Sequence, residues 1–431
     1  MGQTLTDTLQ AFLTAYPATA YVIAYSGGLD SHVLLHACAK LSQQQPQWQF
    51  RAVHIDHGLQ ADSLAWAQHC QCVCAQLAVP LTVRALHLQI PQGASLEAVA
   101  RNARYAVFAE YLQAGEILLT AHHQDDQAET LLLHLLRGSG MDGLAAMPVI
   151  RSFAQGHLGR PWLACSREQL QQYALQHQLV YIQDPSNADC RFDRNFLRQQ
   201  VMPLLQQRWP AVSKTLARVA RLQGENRTLL AEMVAEKYPQ VLGNQPITLS
   251  VQKLMQYDQF MQKALLRHWF SEQELQRPED KQLQQILYLL KARPDASPCV
   301  SWAGCEVRRY QDNLYAMPPL PVHDTMQCLK WQDIRQPLWI ESLQQYLQPD
   351  LLAAWQAYLQ QHPQPVTVRF RQGGETLWIP YRRGHHSVKH LLQEAGIPPW
   401  QRQRLPLLYI GERLIGIIGV IQIKPGADDE G

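Results

Sequence analysis

Charge is what this chain has least of. Asp, Glu, Lys and Arg make up 17% of its 431 residues, against 46% hydrophobic residues. A chain this apolar and this weakly charged can bury real cores, which excludes a disordered polyelectrolyte. Glutamine supplies part of the polar surface instead, as in Gln43-Gln44-Gln45. Long apolar runs are also missing. None reaches the ~18 residues a membrane-spanning helix needs, so no membrane partner is expected. Met1 to Pro17 has no basic stretch ahead of an apolar core and does not read as a secretory signal. The nine cysteines are odd in number and scattered, which excludes a disulfide scaffold and fits a reducing, cytoplasmic setting. Cys70-Gln71-Cys72-Val73-Cys74 has no second Cys-x-x-Cys pair to complete a metal site. On a helix, a spacing of two turns thiols about 200° apart, so only Cys70 and Cys74 share a face and packing is expected.

What the chain does have is a sharp break near its start. Tyr21-Val22-Ile23-Ala24-Tyr25 is apolar and β-prone; Ser26-Gly27-Gly28-Leu29-Asp30-Ser31 follows; apolar positions 33, 34, 37 and 38 then mark one face of a helix. Two glycines permit backbone angles that side chains forbid and let N–H groups approach an anion, at a helix N-terminus that adds free donors. An ordinary left-handed turn explains Gly-Gly alone, but not the strand, both serines, the aspartate and the helix together. Asp30 repels bare phosphate, so a cation or a sugar hydroxyl is its expected partner. No Gly-Lys-Ser/Thr follows, so this is not a Walker A loop. It resembles the SGGxDS loop of PP-loop ATP pyrophosphatases, which cleave ATP between the α and β phosphates and adenylate their substrate.

Length predicts two or three domains. Strands at 20–25, 49–55, 81–87 and 116–120 alternate with helices at 31–41, 61–77, 95–113 and 125–136, which predicts an α/β fold with a doubly wound parallel sheet. Ligands in such sheets gather at the carboxyl ends of the strands. The expected domains are a catalytic ATP-binding domain over 1–210, a mainly helical domain over 211–325, for which the family resemblance given below implies RNA contact, a linker over 326–365 and a small α/β nucleic-acid-binding domain over 366–431. Pro318-Pro319-Leu320-Pro321 marks a boundary, and no internal repeat is evident. Charge is uneven. Residues 1–210 hold 13 Lys+Arg against 15 Asp+Glu, whereas 366–413 hold 8 against 3. Arg369, Arg371, Arg382, Arg383, Lys389, Arg402 and Arg404 make that last stretch a candidate phosphate-binding face, with Tyr381 and Trp400 as stacking residues; a solvated surface is the plain alternative.

The second constellation is Thr120-Ala121-His122-His123-Gln124-Asp125-Asp126-Gln127-Ala128-Glu129-Thr130, followed by Arg137-Gly138-Ser139-Gly140. A helix beginning near Asp125 puts Asp126 and Glu129 on one face, with the leucines opposite. Acids in a first helical turn also cap it, but capping leaves the paired histidines and the glycine loop unexplained. Together with Glu97-Ala98-Val99-Ala100-Arg101-Asn102-Ala103-Arg104-Tyr105, Asp184-Pro185-Ser186-Asn187 and Arg194-Asn195-Phe196-Leu197-Arg198, this order of motifs resembles the tRNA(Ile)-lysidine synthetases.

The resemblance implies that ATP adenylates the C2 oxygen of the cytidine at the first anticodon position of an isoleucine tRNA, and that the ε-amine of L-lysine displaces AMP to form lysidine. It implies that Ser26, Gly27, Gly28, Leu29, Asp30 and Ser31 bind ATP, with Asp30 on Mg²⁺. His122, Asp126 and Glu129 would line the lysine and reaction pocket, and Arg101 or Arg104 would steady phosphate or the activated base. His54, ending the second strand, is placed for contact with the adenosine half. The pair Arg101 and Arg104 reads equally well as solvated charge on an Ala-rich helix. The alternatives are another PP-loop ligase, such as a base thiolase, or an RNA-binding protein with a vestigial ATP loop. Oligomeric state is left open, a homodimer among the options.

Overall fold

The structure is a computed structural model and describes residues 4–56, 58, 62–86, 96–185, 189–293 and 298–425. The chain divides into two compact units, Met1–Glu232 and Met233–Gly431.

In the first unit α1 (Leu5–Ala15) starts at a capping box between Thr4 and Asp7. Then come β1 (Tyr21–Ala24), α2 (Leu29–Gln44), β2 (Phe50–Asp56), α3 (Ser63–Gln76), β3 (Leu81–Ala85), α4 (Leu96–Tyr111), β4 (Ile117–Leu119), α5 (Gln124–Leu136), α6 (Met141–Leu144), β5 (Ile150–Phe153), β6 (Gly156–Gly159) and α7 (Arg167–Gln176). The sheet runs β3-β2-β1-β4-β6-β5, parallel except for β5, which is antiparallel to β6. The parallel α/β expectation holds. Residue alternation along β1 explains its burial on both faces. Tyr21 and Ile23 join Leu13, Leu34 and Trp162 in one core, while Val22 joins Val53, Leu118, Leu158 and Phe108 in the other. Connections run one way from β1 to β2 and the other way to β4, so β1 and β4 flank the switch point where such sheets hold ligands.

The unit continues through α8 (Asp193–Phe196), a π-helical turn at Leu197–Val201, and α9 (Met202–Arg208). The Ser186-Asn187 part of one quoted motif, and the start of the helix expected from 95, lie outside the described residues. The leucine face of α5 is only partly as expected. Leu131 is buried, but Leu135 and Leu136 are exposed, and Asp126 and Glu129 are among the buried residues.

α10 (Val212–Lys237) leads to a four-stranded sheet, β7-β10-β9-β8, built from β7 (Leu249–Ser250), β8 (Cys299–Trp302), β9 (Cys305–Tyr310) and β10 (Asn313–Met317). It packs with α11 (Val251–Leu254), α12 (Gln259–Glu272) and α13 (Asp280–Leu290) around Trp269, Phe270, Leu283 and Ile286.

Residues 326–365 are not a linker. β11 (Cys328–Lys330), β12 (Leu338–Ile340), β13 (Gln345–Leu347) and α14 (Gln356–Gln361) bury Trp331, Ile340, Leu347, Leu352 and Trp355. β11 pairs with β14 (Val366–Phe370), so the last sheet, β11-β14-β17-β18-β19, begins before residue 366. The hairpin β15 (Thr376–Ile379) and β16 (Gly384–Ser387), then α15 (Val388–Glu394) and α16 (Pro399–Arg402), precede β17 (Pro406–Ile410), β18 (Arg413–Ile417) and β19 (Ile421–Gln422).

There is also an internal repeat. Leu338-Trp339-Ile340 recurs as Leu377-Trp378-Ile379. Each triplet runs into a 3₁₀ turn closed by a left-handed residue, Gln344 or Arg383, with φ 51° and ψ 43° in both. Each then returns as a paired strand, and Trp339 and Trp378 are each 37% exposed. Three shared residues in a diverged background were too few to see.

Candidate active site

The Ser26–Ser31 loop leaves β1 at the switch point. Gly27 has φ 85°, and a Cβ there would run into Ile182 Cδ1 and Cys70 Sγ, so glycine is required. Ile182 N–H donates to Gly27 O at 2.9 Å, fixing the loop from a distant segment. Ser26 and Ser31 hydroxyls lie 2.9 Å apart, and the Ser26 N–H donates to Ser31 Oγ at 3.2 Å. Gly28 is the N-cap of α2 and offers no side-chain cap, so the first-turn amides face outward as anion donors. His54 is buried beneath, its Nδ1 donating to Tyr25 O at 2.9 Å. One nitrogen of its ring therefore supports the loop.

β4 delivers the second loop next door. His123 caps α5: the Asp125 N–H donates to its Nδ1 at 3.3 Å, leaving Nε2 toward Asp126 Oδ2 at 3.3 Å and Asp30 Oδ2 at 3.7 Å. Burial opposes a charge on this imidazole, yet Asp30, Asp126 and Asp125 outweigh it and push its pKa up. Asp30 thus joins the two motifs. Its Oδ1 is buried without a hydrogen-bond partner, as a carboxylate oxygen reserved for a cation would be. The fit to Mg²⁺ is good on that ground, since Mg²⁺ takes one or two carboxylates and completes its shell with phosphate and water.

Asp126 and Glu129 are not open acids. Arg194 donates to Glu129 Oε2 at 2.9 Å and Asp126 Oδ1 at 3.0 Å; Arg198 donates to Glu129 Oε1 at 2.7 Å and Asp126 Oδ1 at 2.8 Å. Burial raises the carboxyl of Asp126, but His123, Arg194 and Arg198 hold it well below the usual range. The two acids expected to line the lysine pocket are thus held by two arginines four residues apart, on α8 and its π-helical extension. Sequence reasoning quoted Arg194 and Arg198 but gave them no role. Their spacing was the available signal, since residues four apart on a helix can grip one target.

His122 Nδ1 is hydrogen-bonded to Thr120 Oγ1 at 2.8 Å. Burial first, then the charges of Arg160, Arg194 and Arg104, bring its pKa down to about 3 although Asp126 opposes them. It is a neutral imidazole at physiological pH. Arg101 and Arg104 stand over Tyr105, 5.5 and 5.7 Å from its ring centre. Arg104 Nε is buried without a partner, so Arg104 is not solvated surface charge, whereas Arg101 is exposed.

Burial pushes the thiols of Cys70 and Cys74 up to about 12, with Cys72 exposed. Among the described residues no three His, Cys, Asp or Glu side chains are grouped to hold a metal. Cys70 and Cys74 pack in the core. Of the candidate stacking residues, Tyr381 stands 72% exposed, but Trp400 packs on Tyr315, centroids 5.3 Å apart, under the Arg308 guanidinium.

A switch-point glycine loop joined through Asp30 to a charged network on the neighbouring strand defines an ATP-using PP-loop enzyme. The comparisons agree: residues 1–205 match the PP-loop domain family, 249–315 the TilS substrate binding domain and 366–430 the TilS substrate C-terminal domain. The tRNA(Ile)-lysidine synthase of Coxiella burnetii is 40% identical over 96% of this chain and 92% of its own length. Those of Xylella fastidiosa and Escherichia coli O157:H7 are 42% and 41% identical, over 95% and 94% of this chain and 92% and 93% of theirs. The chain belongs to the tRNA(Ile)-lysidine synthase family, ligases that form a carbon–nitrogen bond. Among the described residues no helix is long and apolar enough to cross a membrane.

Proposed function

We propose that this site adenylates the first anticodon cytidine of an isoleucine tRNA with a CAU anticodon and then joins it to L-lysine. The C2 oxygen attacks the α-phosphorus, the α–β anhydride bond breaks and pyrophosphate leaves. The lysine ε-nitrogen next attacks C2, the bond from C2 to the AMP oxygen breaks, and lysidine and AMP result. The observation that carries this is the unpartnered Asp30 Oδ1 beside a phosphate-type loop and within 3.7 Å of His123.

In this assignment the amides of Gly28, Leu29 and Asp30 and the hydroxyls of Ser26 and Ser31 hold the ATP phosphates, exchanging their mutual bond for phosphate oxygens. Mg²⁺, held by Asp30, would neutralise phosphate charge. His123 orients Asp30, and Asp126 and Glu129 hold Arg194 and Arg198 rigid beside the reacting groups, where guanidinium N–H groups stabilise charge growing on the α-phosphate. Lysine has a reference pKa near ~10.4 and must lose a proton before attack. A neutral His122 with a pKa of about 3 is a poor proton acceptor for it, so His122 serves as a hydrogen-bonding wall to the acceptor base. The test is pyrophosphate release that requires both the tRNA and lysine; release with the tRNA and a sulfur donor in place of lysine would instead favour a thiolase.

A further inference from the structure

Arg160 follows β6 directly, on the far side of β4 from the ATP loop. It is only 4% exposed. Its Nη1 donates to Pro148 O at 2.8 Å, but its Nε has no partner, and neither does Nε of Arg104. Arg151, on the edge strand β5, is exposed and stands over Phe153 at 5.5 Å; Phe153 meets Tyr105 edge-on at 5.8 Å, and Tyr105 lies under Arg101 and Arg104. Three guanidiniums therefore lie over these two rings, and Arg160 is hydrogen-bonded to Tyr105. Among the described residues none of the four is ion-paired to a carboxylate, although fifteen acids lie in 1–210. Burial and the charges of Arg151 and Arg101 bring Arg160 down to about 10, although Tyr105 opposes them. Arg160 is hydrogen-bonded to Pro148 O and Tyr105, but no described carboxylate neutralises it; a buried cation without a counter-charge is costly to keep, so the arrangement is completed by an anion from outside.

We propose that the β5–β6 hairpin, through Arg151 and Arg160 with Arg101 and Arg104 beside them, is a subsite for a backbone phosphate of the acceptor RNA. It rests on the assignment of a tRNA acceptor above. Arg160 follows β6 and Arg151 lies on β5, two and three strands from the β1 loop assigned to the ATP phosphates, so their charge is directed at a ligand other than those phosphates. A single amino-acid carboxylate is satisfied by one forked guanidinium and leaves the others unpaired. A phosphodiester chain entering from the exposed side, past Arg101 and Arg151, meets all four. The subsite positions the cytidine over His122 and takes no part in bond making.

The test uses the full-length protein and an in-vitro transcribed isoleucine tRNA with a CAU anticodon. Arg151→Gln is exposed and leaves the fold intact; Arg160→Gln loses its bond to Pro148 O, so Arg160→Lys, which keeps the charge, controls for folding. Each Gln variant should flatten the slope of log affinity against log salt by about 0.7 to 0.9, so that its deficit against wild type shrinks about threefold between about 50 and 200 mM salt. Arg160→Lys should keep the wild-type slope, and the KM values for lysine and ATP should not move. An unchanged slope in Arg151→Gln, or a raised KM for lysine with RNA affinity intact, overturns the subsite. A wild-type protein that binds this RNA with the expected slope but makes no lysidine leaves the subsite standing and removes the proposed reaction instead.

Discussion

Gly27 shows how a single position couples conformation to chemistry. Its φ of 85° and its contact with Ile182 and Cys70 leave no room for a methyl group, so Gly27→Ala should lose about 1–3 kcal/mol of stability, with weaker ATP binding, read by thermal melts and nucleotide titration. Glu129 is 2% exposed and bonded to two arginines. Glu129→Gln breaks a buried pair and should cost about 3–5 kcal/mol, well above the ~0.5–2 kcal/mol of a lost cap; urea unfolding separates the two. The loop serines, the glycines and the acids were legible in the sequence because each sits in a local pattern. The arginines that hold the acids were not, because Arg194 and Glu129 are 65 residues apart and only the fold brings them together.

At the scale of elements, the parallel strands were readable because both faces are buried, which leaves near-continuous apolar runs such as Tyr21–Ala24 and Ile117–Leu119. The β5–β6 hairpin was not, since Arg151, Ser152 and His157 interrupt any apolar pattern and its edge position tolerates them. Residues 326–365 were misread because their strands are three residues each. Trp355→Ala should therefore cost about 3–5 kcal/mol by the cavity it leaves, whereas a linker would tolerate it with no measurable loss. Helices α2 and α3 with the end of α7 border a half-open pocket of about 410 Å³ lined by His32, His36, His69 and His177. Burial, then repulsion from neighbouring imidazoles, brings His32 and His36 down to about 4. Below their unfolded value of ~6.5 the unfolded chain binds more protons than the folded one, so stability is retained above pH ~6.5 and falls toward pH ~4, by up to ~1.4 kcal/mol per pH unit for each imidazole. Denaturation followed from pH 7 to 4 checks the sign, and His32→Gln should make the curve shallower.

At the scale of the whole molecule, the basic stretch after residue 366 is partly neutralised at home. Arg369 pairs with Glu412 and Arg382 with Glu394. Arg383 and Lys389 are exposed, and replacing both with Gln should weaken tRNA binding and flatten its salt slope by about 1 to 2, with ATP binding unchanged. Cutting the chain at 366 would remove β14 from β11 and spoil the sheet, so charge substitution is the cleaner test. The order of motifs assigns the proposed chemistry to the first unit, because the loop, the His122–Glu129 segment and the arginine pair all lie before residue 210. The central claim, that this site adenylates a cytidine and delivers it to lysine, is tested most directly by mass spectrometry of the isoleucine tRNA after incubation with ATP, Mg²⁺ and L-lysine. The account predicts one cytidine, at the first anticodon position, heavier by a lysine less one water, and no change with Asp30→Ala; an unmodified cytidine with the wild-type protein, or full modification by the Asp30→Ala variant, would contradict it.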